Sequence, residues 1–391
     1  MRPESRQLIE QLIAFDSVSR HSNLPLIEFI QNYLQEHGVE SQLIYNDEGT
    51  KANLLACIGP RVAGGVVLSG HSDVVPVEGQ PWATDPFQLT EREGRLYGRG
   101  TADMKSFIAL ALAAVPAMQQ APLQRPVLLA FSYDEEVGCL GAPRLIEQLK
   151  KEYPQPLAVI VGEPTSMQTV MAHKSITTLR TTVTGHEAHS SQVQRGVSAV
   201  TLAARLITFI DEMMRENQAA ADKDSPFVPP YTTLHTGVVQ GGTAVNIISR
   251  HCYFDWDIRC LPGDQAQRYI QRLNDYAEQL LTPLRALAAD ISIETQIIAD
   301  VPAFDNPHGA ARALLSHLNP EFKPQVVPYV SEAGQFQQAG FDTILCGPGS
   351  IDQAHQPNEF ITIDQVRRAE VFFDRLIQFL CAPNQLVATE S

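Results

Sequence analysis

The sequence predicts an α/β protein whose mainly parallel sheet is joined to a second, smaller α+β domain. Over roughly the first 175 residues, apolar strand-type runs alternate with helical periodicity. This alternation is typical of right-handed crossovers in a parallel sheet. Beyond that point the pattern changes, and 391 residues exceed the usual size of one hydrophobic core. We therefore expect two domains.

The first domain is predicted from its segments in chain order. Two amphipathic segments predict helices, SRQLIEQLIAF and PLIEFIQNYLQEHG, and Gly38 ends the second. Apolar runs predict the strands VVLSG, VLLAFSY and LAVIVG. A helix is expected to begin near Lys105, and another in GAPRLIEQLKK between the last two strands. Together these segments form strand–helix–strand units of one sheet.

The second domain is predicted to begin at about residue 178. TLRTTVTGHEAH alternates as a strand does, SAVTLAARLITFIDEMMREN predicts a long helix, and TTLHTGVVQGG and YFDWDIRCLPG predict two further strands. A helix in QAQRYIQRLNDYAEQLL and a strand in ISIETQII complete the order β-α-β-β-α-β, which suits an antiparallel sheet. After about 299 the first pattern returns. We predict one domain of residues 1–177 and 299–391 with residues 178–298 inserted, and a loose tail in the last ten residues.

Composition and charge restrict the partners. A formal net charge of −15 argues against nucleic acid, because phosphate binding needs a basic surface. Six scattered cysteines without a CxxC pair indicate a reducing compartment. The longest apolar run, FIALALAAV, is too short to span a bilayer, and charges interrupt the N-terminal helix, unlike in a signal peptide. We expect a soluble, cytoplasmic protein that binds neither nucleic acid nor a membrane.

Candidate ligands follow the strand-type runs of the first domain. The carboxyl ends of parallel strands lie along one edge of a sheet, where α/β proteins place ligands, so we expect these side chains to converge. They are His71 after VVLSG, Asp134, Glu135 and Glu136 after VLLAFSY, Glu163 after LAVIVG, and His355 after TILCG. A fifth loop, GRGTADMK, carries Asp103. It completes no nucleotide-binding glycine pattern, and its aspartate could also cap the following helix.

The histidines and carboxylates at these strand ends form a ligand set that suits zinc. A carboxylate shared by two ions would make a dinuclear site with metals roughly 3.5 to 4 Å apart. One of two adjacent glutamates can bind metal while the other stays free as a general base. Asp73 lies two positions after His71, on the same side of an extended segment, and its carboxylate is placed to hold the second ring nitrogen of that histidine. A lone HxD pattern would more often be an edge loop with a hydrogen-bonded histidine.

The sequence resembles a known family in these motifs. GHSDVVP, GRGTADMK, DEEVGCLGA, VGEPT and GPGSIDQAHQPNEF are similar to the metal-binding motifs of the dinuclear zinc peptidases and deacylases related to aminoacylase and carboxypeptidase G. Further segments, above all CGPGSIDQAHQPNEF, resemble the acetylornithine deacetylase branch. The likeness runs through nearly the whole chain. It implies a zinc-peptidase-like catalytic domain and an inserted dimerisation and lid domain.

The resemblance implies a role for each matching residue of the catalytic domain. The ligands implied are His71 and Glu163 for one zinc, Glu136 and His355 for the other, and Asp103 as the bridge between them. Glu135 would be the general base. Asp73 is a further catalytic candidate because of its position beside His71, not because of the resemblance. Two Zn²⁺ ions are therefore the expected cofactors, and Co²⁺ is expected to be able to replace them.

The inserted domain of this family forms a dimer and sends a histidine into the partner's active site. In GHEAHSS, His189 is the candidate for that role because it precedes two small residues, and His186 is the competing choice. Arg259 in DWDIRCLPG and Asn246 in AVNIIS match positions associated with holding the carboxylate and the acyl part of the substrate. Without the resemblance, Arg259 would be interpreted as a surface arginine at a strand end.

The implied activity is hydrolysis of the N-acyl amide of N2-acetyl-L-ornithine to L-ornithine and acetate, as in arginine biosynthesis, by a zinc-bound hydroxide with Glu135 as base. The expected partners are a small N-acyl amino acid and a second copy of the chain, since the resemblance implies a homodimer. Two alternatives stay open. One is another deacylase or dipeptidase of the family, such as a succinyl-diaminopimelate desuccinylase, and the other is a non-catalytic metal-binding or dimerisation protein.

Two departures from the branch pattern bear on the substrate. Glu332-Ala333-Gly334 stands where the branch usually has Glu-Ala-Pro, and Ser198 stands where it usually has asparagine. Glycine loosens a loop that proline would restrict. Neither Gly334 nor Ser198 is an expected metal ligand. Glu332 is the candidate partner of the ornithine side-chain ammonium.

Overall fold

The computed structural model of this protein describes residues 1–319 and 323–382. Its helices are α1 (Pro3–Ile13), α2 (Leu24–Glu36), α3 (Lys105–Ala113), α4 (Val115–Gln120), α5 (Ala142–Glu152), α6 (Ala199–Ala219), α7 (Ala266–Leu281), α8 (Ala310–Leu318), α9 (Ala333–Gln338) and α10 (Ile363–Cys381). Its strands are β1 (Ser41–Tyr45), β2 (Ala52–Ile58), β3 (Val66–His71), β4 (Thr90–Arg92), β5 (Arg95–Tyr97), β6 (Val127–Ser132), β7 (Ala158–Val161), β8 (Thr169–His173), β9 (Ile176–Thr184), β10 (Thr233–Gly241), β11 (His251–Arg259), β12 (Ser292–Val301), β13 (Phe304–Asp305), β14 (Pro324–Val327), β15 (Thr343–Leu345) and β16 (Phe360–Thr362).

The larger sheet has a parallel centre. Within the described part of the chain its order is β1-β2-β6-β3-β7-β15-β8-β13, and β14 pairs with β8. β3 is parallel to both β6 and β7, and β7 is parallel to β15. β3, β6 and β7 are buried along their whole length, as is typical of strands covered on both faces. The predicted α/β class with a mainly parallel sheet is confirmed.

One hydrophobic core packs helices against this sheet. Leu12 of α1, Ile30 of α2, Phe107 of α3 and Phe373 of α10 are all at most 2% exposed. The rings of Phe107 and Phe373 lie 5.8 Å apart between centroids. Burying one such side chain contributes roughly 1.5 to 3 kcal/mol. α3 is buried on nearly every side because α1, α10 and β3 all contact it. These contacts fix the start of α3, two residues after Asp103.

The chain divides into two compact units. The first holds Met1–Ala172, Phe304–Val326 and the chain from Ser331 onward, and the second holds His173–Ala303 with Val327–Val330. The second unit has the order β9-α6-β10-β11-α7-β12, and its antiparallel sheet has the order β10-β11-β9-β12. It has its own core, in which Trp256 of β11 is 2% exposed. The predicted β-α-β-β-α-β order is therefore confirmed.

Several short elements were not predicted. They include β1 and β2 at the edge of the larger sheet, and the small sheet of β16, β5 and β4, whose strands have three residues each. Strands this short depend on tertiary pairing more than on their own sequence. Across residues 1–319 and 323–382, no helix has both the length and the apolar character needed to cross a membrane. Apart from Ala382, the tail predicted for the last ten residues lies outside the described residues.

Candidate metal centre

Parallel pairing brings the candidate ligands to one edge of the sheet. His71 is the last residue of β3 and lies opposite Ser132, the last residue of β6. The loop that carries Glu135 and Glu136 therefore starts beside His71. β7, the other neighbour of β3, ends two residues before Glu163. The register of three strands thus sets the positions of these side chains.

Two groups of ligand atoms form at this edge, and Asp103 belongs to both. One group is His71, Asp103 and Glu163, and the other is Asp103, Glu136 and His355. Within each group the ligand atoms lie within 4.8 Å of one another. Nε2 of His71 is 3.0 Å from Oδ1 of Asp103, and Nε2 of His355 is 3.4 Å from Oδ2. Asp103 thus presents one oxygen to each histidine, which is the arrangement that a bridging carboxylate needs.

The charges of the two groups require compensation. Burial raises the pKa of Glu163 well above its ordinary value, and burial together with the charge of Asp103 raises the pKa of Glu136 to about 6. Hydrogen bonds to Asp103 and Glu136 raise the pKa of His355 to about 10. Buried carboxylates in such numbers must take up protons or bind cations. Metal ions compete with protons for these same atoms.

Unpaired oxygens show that the residues fit metal ions. Among the described residues, Oε1 of Glu136 and Oε1 of Glu163 are buried and have no hydrogen-bond partner. Leaving a buried acceptor unsatisfied costs about 1 to 3 kcal/mol, and more for a charged group. One of these oxygens lies in each ligand group. With imidazole nitrogen and carboxylate oxygen as donors, both groups match the ligand preferences of zinc and similar divalent ions.

Asp73 holds its neighbours differently from the prediction. Nδ1 of His71 is 2.9 Å from the main-chain oxygen of Asp73 but 3.7 Å from its Oδ1, so the carbonyl group, not the carboxylate, orients the ring. The prediction named the right residue and the wrong atom. The carboxylate instead accepts hydrogen bonds from the main-chain N–H of Glu135, at 3.1 Å, and from the hydroxyl of Ser19, at 2.7 Å. A proton on Nδ1 leaves Nε2 of His71 free to bind metal.

Glu135 lies beside the ligands but is in neither of the two groups. Burial raises the pKa of Glu135 well above its ordinary value, and the charge of Glu136 adds to this effect. The Sγ–H of Cys139 donates a hydrogen bond to its Oε1 at 3.4 Å. Cys139 is fully buried, and Glu135 is half-buried. A carboxylate with a raised pKa that remains uncoordinated is suited to accept and return a proton.

Glu332 does not have the predicted role as partner of the substrate ammonium. It is 1% exposed, and its carboxylate accepts hydrogen bonds from the hydroxyl of Ser69 in β3, at 3.1 Å, and from that of Ser132 in β6. The prediction that Glu332 meets the substrate ammonium is wrong, because both oxygens are bound inside the protein. Its observed role is to connect two central strands close to His71.

His189 lies in the second unit, at the start of the 3₁₀ turn Ser190–Arg195. The main-chain N–H of Ser191 donates to Nδ1 of His189 at 3.2 Å, which leaves the ring proton on Nε2. The imidazole is exposed, so Nε2–H is available as a donor. Nδ1 of His186, the competing histidine, lies 3.4 Å from Oδ1 of Asp290.

Asn246 and Arg259 also lie in the second unit. The main-chain oxygen of Asn246 accepts a hydrogen bond from the N–H of Ser190 at 3.0 Å, which brings Asn246 next to the His189 turn. Arg259 ends β11, and its Nε lies 3.5 Å from Oδ1 of Asp257. The structure therefore brings Asn246 and His189 together within this unit, and the ligand groups belong to the first unit.

A family model now adds to this geometry. The model for peptidase family M20/M25/M40 matches residues 67–378. The chain belongs to this family. The resemblance found in the motifs is thereby confirmed, and the protein is a metal-dependent hydrolase of amide bonds.

Curated relatives cover nearly the whole of this M20 chain. An acetylornithine deacetylase of Proteus mirabilis strain HI4320 is 36% identical over 389 residues, which are 97% of each chain. An acetylornithine deacetylase of Myxococcus xanthus is 34% identical and covers 97% of this chain and 98% of its own. Both alignments include the inserted unit as well as the ligand groups.

Solved structures of peptidases share the fold. The metallo-carboxypeptidase Sso-CP2 of Sulfolobus solfataricus has a TM-score of 0.76 at 18% identity, with 97% of this chain and 100% of that chain covered. A tripeptidase of Staphylococcus aureus has a TM-score of 0.73 at 18% identity, with 97% and 98% covered. At this identity the likeness shows the fold alone.

Sequence reasoning missed residues that support the M20 ligand groups. Ser19 carries no sequence signal, because only the fold brings it to Asp73. Arg99 and Glu359 form a buried ion pair at 2.6 Å. Both lie inside motifs that the sequence offers, GRGTADMK and HQPNEF, and a charged residue within a ligand motif is the signal that could have found them.

Proposed function

We propose that this protein hydrolyses the N-acyl amide of N2-acetyl-L-ornithine to L-ornithine and acetate, as a cytoplasmic enzyme of arginine biosynthesis. The observation that carries the proposal is the pair of ligand groups that share Asp103, with Glu135 uncoordinated beside them. Support for the substrate comes from acetylornithine deacetylases that are 33% to 36% identical over at least 97% of this chain.

The proposed cofactors are two Zn²⁺ ions, which Co²⁺ is able to replace. His71 and Glu163 would hold one ion, Glu136 and His355 the other, and Asp103 both. The chemistry that such ions supply when bound is polarisation of the acyl carbonyl group and a lowered pKa of bound water. The protein contributes fixed ligand positions and the orientation of His71 by the Asp73 carbonyl group.

Glu135 is the proposed general base and acid. It takes a proton from the attacking water molecule, whose oxygen forms the new bond to the acyl carbon, and returns that proton to the amine nitrogen as the C–N bond breaks. The products are acetate and the free amine. The main-chain N–H of Glu135 donates a hydrogen bond to Asp73, and Cys139 donates one to Oε1 of Glu135; together they hold the carboxylate of Glu135 for both transfers.

The proposal assigns substrate recognition to the inserted domain, residues 178–298. Through it the chain forms a homodimer, and His189 of each subunit serves the active site of the other. Its Nε2–H would stabilise the developing oxyanion, a contribution on the order of 3 kcal/mol. Arg259 would hold the α-carboxylate by a paired hydrogen bond, and Asn246 would contact the acyl part.

The test is amine release from a panel of substrates by metal-stripped protein reloaded with zinc or cobalt. The panel contains N-acetylornithine, N-succinyl-diaminopimelate, other N-acetylated amino acids and a dipeptide. We expect metal-dependent turnover with a strong preference for N-acetylornithine. Metal-dependent turnover of another member instead would keep amide hydrolysis and discard this substrate. Binding of two metals without turnover of any member would favour a non-catalytic protein.

A further inference from the structure

Glu359 holds the loop that carries Asp103. Its Oε1 accepts hydrogen bonds from the main-chain N–H groups of Ala102, at 2.7 Å, and Asp103, at 3.0 Å. Its Oε2 accepts one from the N–H of Gly100 at 3.1 Å. Glu359 is 1% exposed, so these bonds are protected from water. The carboxylate therefore fixes the backbone of the residue that both ligand groups share.

Arg99 links Glu359 to a second loop. Its Nη1 donates to Oε2 of Glu359 at 2.6 Å, and its Nη2 donates to Oε1 of Gln80 at 2.7 Å. Nε1 of Trp82 also donates to Oε1 of Gln80, at 3.0 Å, while the indole ring lies over the guanidinium group at 5.1 Å. Two donors on Oε1 identify this atom as the amide oxygen and fix the direction of the amide nitrogen.

The amide nitrogen of Gln80 contacts the backbone of His355, one of the candidate metal ligands. Nε2 of Gln80 donates to the main-chain oxygen of His355 at 2.9 Å. His355 has a φ of +62°, in the left-handed region that a non-glycine residue adopts only when its surroundings hold it there. Its side chain is 51% exposed, so packing gives it little support. The ring contacts Asp103 and Glu136 through Nε2, and the hydrogen bond from Gln80 adds a restraint on the backbone of His355.

We infer that Glu359, Arg99 and Gln80 form one positioning network for the two ligand groups. Glu359 sets the backbone of Asp103, which both groups contain, whereas Gln80 sets the backbone of His355, which only one group contains. This inference rests on the metal sites of the proposed function but needs no assumption about the substrate. It requires an asymmetry: changes at Gln80 weaken the binding of one ion, and changes at Glu359 weaken the binding of both.

Two variants of Gln80 make the decisive comparison. Gln80→Glu keeps an oxygen for Arg99 and Trp82 but places a second oxygen, not an N–H donor, against the carbonyl group of His355. Gln80→Leu removes both contacts. Gln80 is partly exposed, so neither change disturbs the core. In a calorimetric titration of metal-stripped protein with Zn²⁺, we expect one of two affinities to fall by on the order of 10- to 100-fold and the other to stay unchanged.

Glu359→Gln is the complementary variant, and both affinities should fall. It leaves Arg99 buried without its counter-charge, so a matched control is needed for the general cost of removing a buried carboxylate. Glu370→Gln provides it. Glu370 is 8% exposed and accepts a hydrogen bond from the main-chain N–H of Arg2 at 2.6 Å. This control should keep both wild-type affinities.

Trp82 offers a second measurement that does not involve activity. The chain has two tryptophans, so Trp256→Phe leaves Trp82 as the sole indole fluorophore. We expect Zn²⁺ to change the Trp82 emission in this background and to lose that effect when Gln80→Leu is added.

Wild-type affinities in both Gln80 variants would overturn the inference. Two-site binding with the expected asymmetry, but no turnover of N-acetylornithine, would support the network and reject the proposed function alone. A wild-type protein that binds no metal would reject both.

Discussion

Nδ1 of His71 binds the main-chain oxygen of Asp73 at 2.9 Å, while the carboxylate of the same aspartate holds the N–H of Glu135 at 3.1 Å. One residue thus orients a ligand with its backbone and the proposed base with its side chain. Because the two functions use different atoms, a substitution of the side chain separates them.

Asp73→Asn should lower kcat while the protein keeps its metal. The main-chain oxygen that orients His71 is retained, but the amide presents one oxygen where the carboxylate presents two, to the N–H of Glu135 and the hydroxyl of Ser19. We expect kcat to fall by on the order of 10- to 100-fold, as is typical when a supporting contact is lost. The measurements are kcat and metal content per subunit. Loss of metal would show that the carboxylate, and not the carbonyl group, controls His71.

Ser19→Ala is the matched control for Asp73→Asn. It removes only the hydroxyl that donates to Oδ2 of Asp73 at 2.7 Å and leaves the bond to Glu135 in place. We expect a loss of about 1 kcal/mol in the free energy of unfolding and a kcat near that of the wild type.

Glu135→Gln should bind two metal ions and show no turnover. Glutamine has the same shape as glutamate but cannot accept the proton, and general-base catalysis contributes roughly 10²- to 10⁴-fold to a rate. Glu136→Gln is the neighbouring control, and there we expect weaker metal binding because Glu136 belongs to a ligand group. Single-turnover assays alongside metal analysis separate the two effects. Surviving activity in Glu135→Gln would remove Glu135 from the role of base.

The sequence predicted that the ligand residues lie close together, but not which hydrogen bonds hold the residues around them. Apolar runs identify strands, and residues that follow parallel strands lie at one edge, which was enough to group His71, Glu163 and the residues after β6. Which way a side chain turns is not encoded in that pattern. Glu332 was misassigned for this reason, because the serines that bind it belong to two strands more than 190 positions away, Ser69 and Ser132.

Gln80 illustrates a second limit of sequence reasoning. Its partner His355 is 275 positions away, and the contact exists only because two loops meet above the sheet edge. His355 itself was predicted from its place after the strand run TILCG and again from motif resemblance, since ligand motifs carry their own residue pattern. Supporting residues outside such motifs have no pattern, and their roles depend on the tertiary structure alone.

Stability above pH 8 should depend on Lys174. This lysine is 1% exposed, and its Nζ donates to the main-chain oxygen of Tyr231 at 2.7 Å. Burial and the nearby charge of Arg259 lower its pKa from 10.5 to about 8. Since the folded-state pKa lies below the unfolded one, the unfolded chain binds more protons between these values, and the contribution of Lys174 to stability rises from pH 8 to 10.5.

Lys174→Met provides the comparison for this pH dependence, because methionine does not titrate. The free energy of unfolding of the wild type should rise relative to that of the variant as pH rises from 8 to 10.5. The difference, variant minus wild type, should therefore decrease over this range. Urea unfolding of both proteins at the two ends of this range measures it. A difference that stays constant with pH would show that Lys174 titrates alike in the folded and unfolded chains.

Mixing two inactive variants tests whether His189 acts across subunits. A dimer of one Glu135→Gln subunit and one His189→Ala subunit would contain one intact site, built from Glu135 of the second and His189 of the first. Random exchange between equal amounts of the two variants makes half of all dimers mixed, and each mixed dimer has one intact site of two. Activity should therefore recover to about a quarter of the wild-type value.

His189→Ala alone should keep its metal content, because His189 lies outside both ligand groups. His186→Ala, which removes a histidine that contacts Asp290, is the matched control and should stay active without mixing. Native mass spectrometry must show that mixed dimers form. If mixed dimers form but have no activity, His189 does not act in the neighbouring subunit.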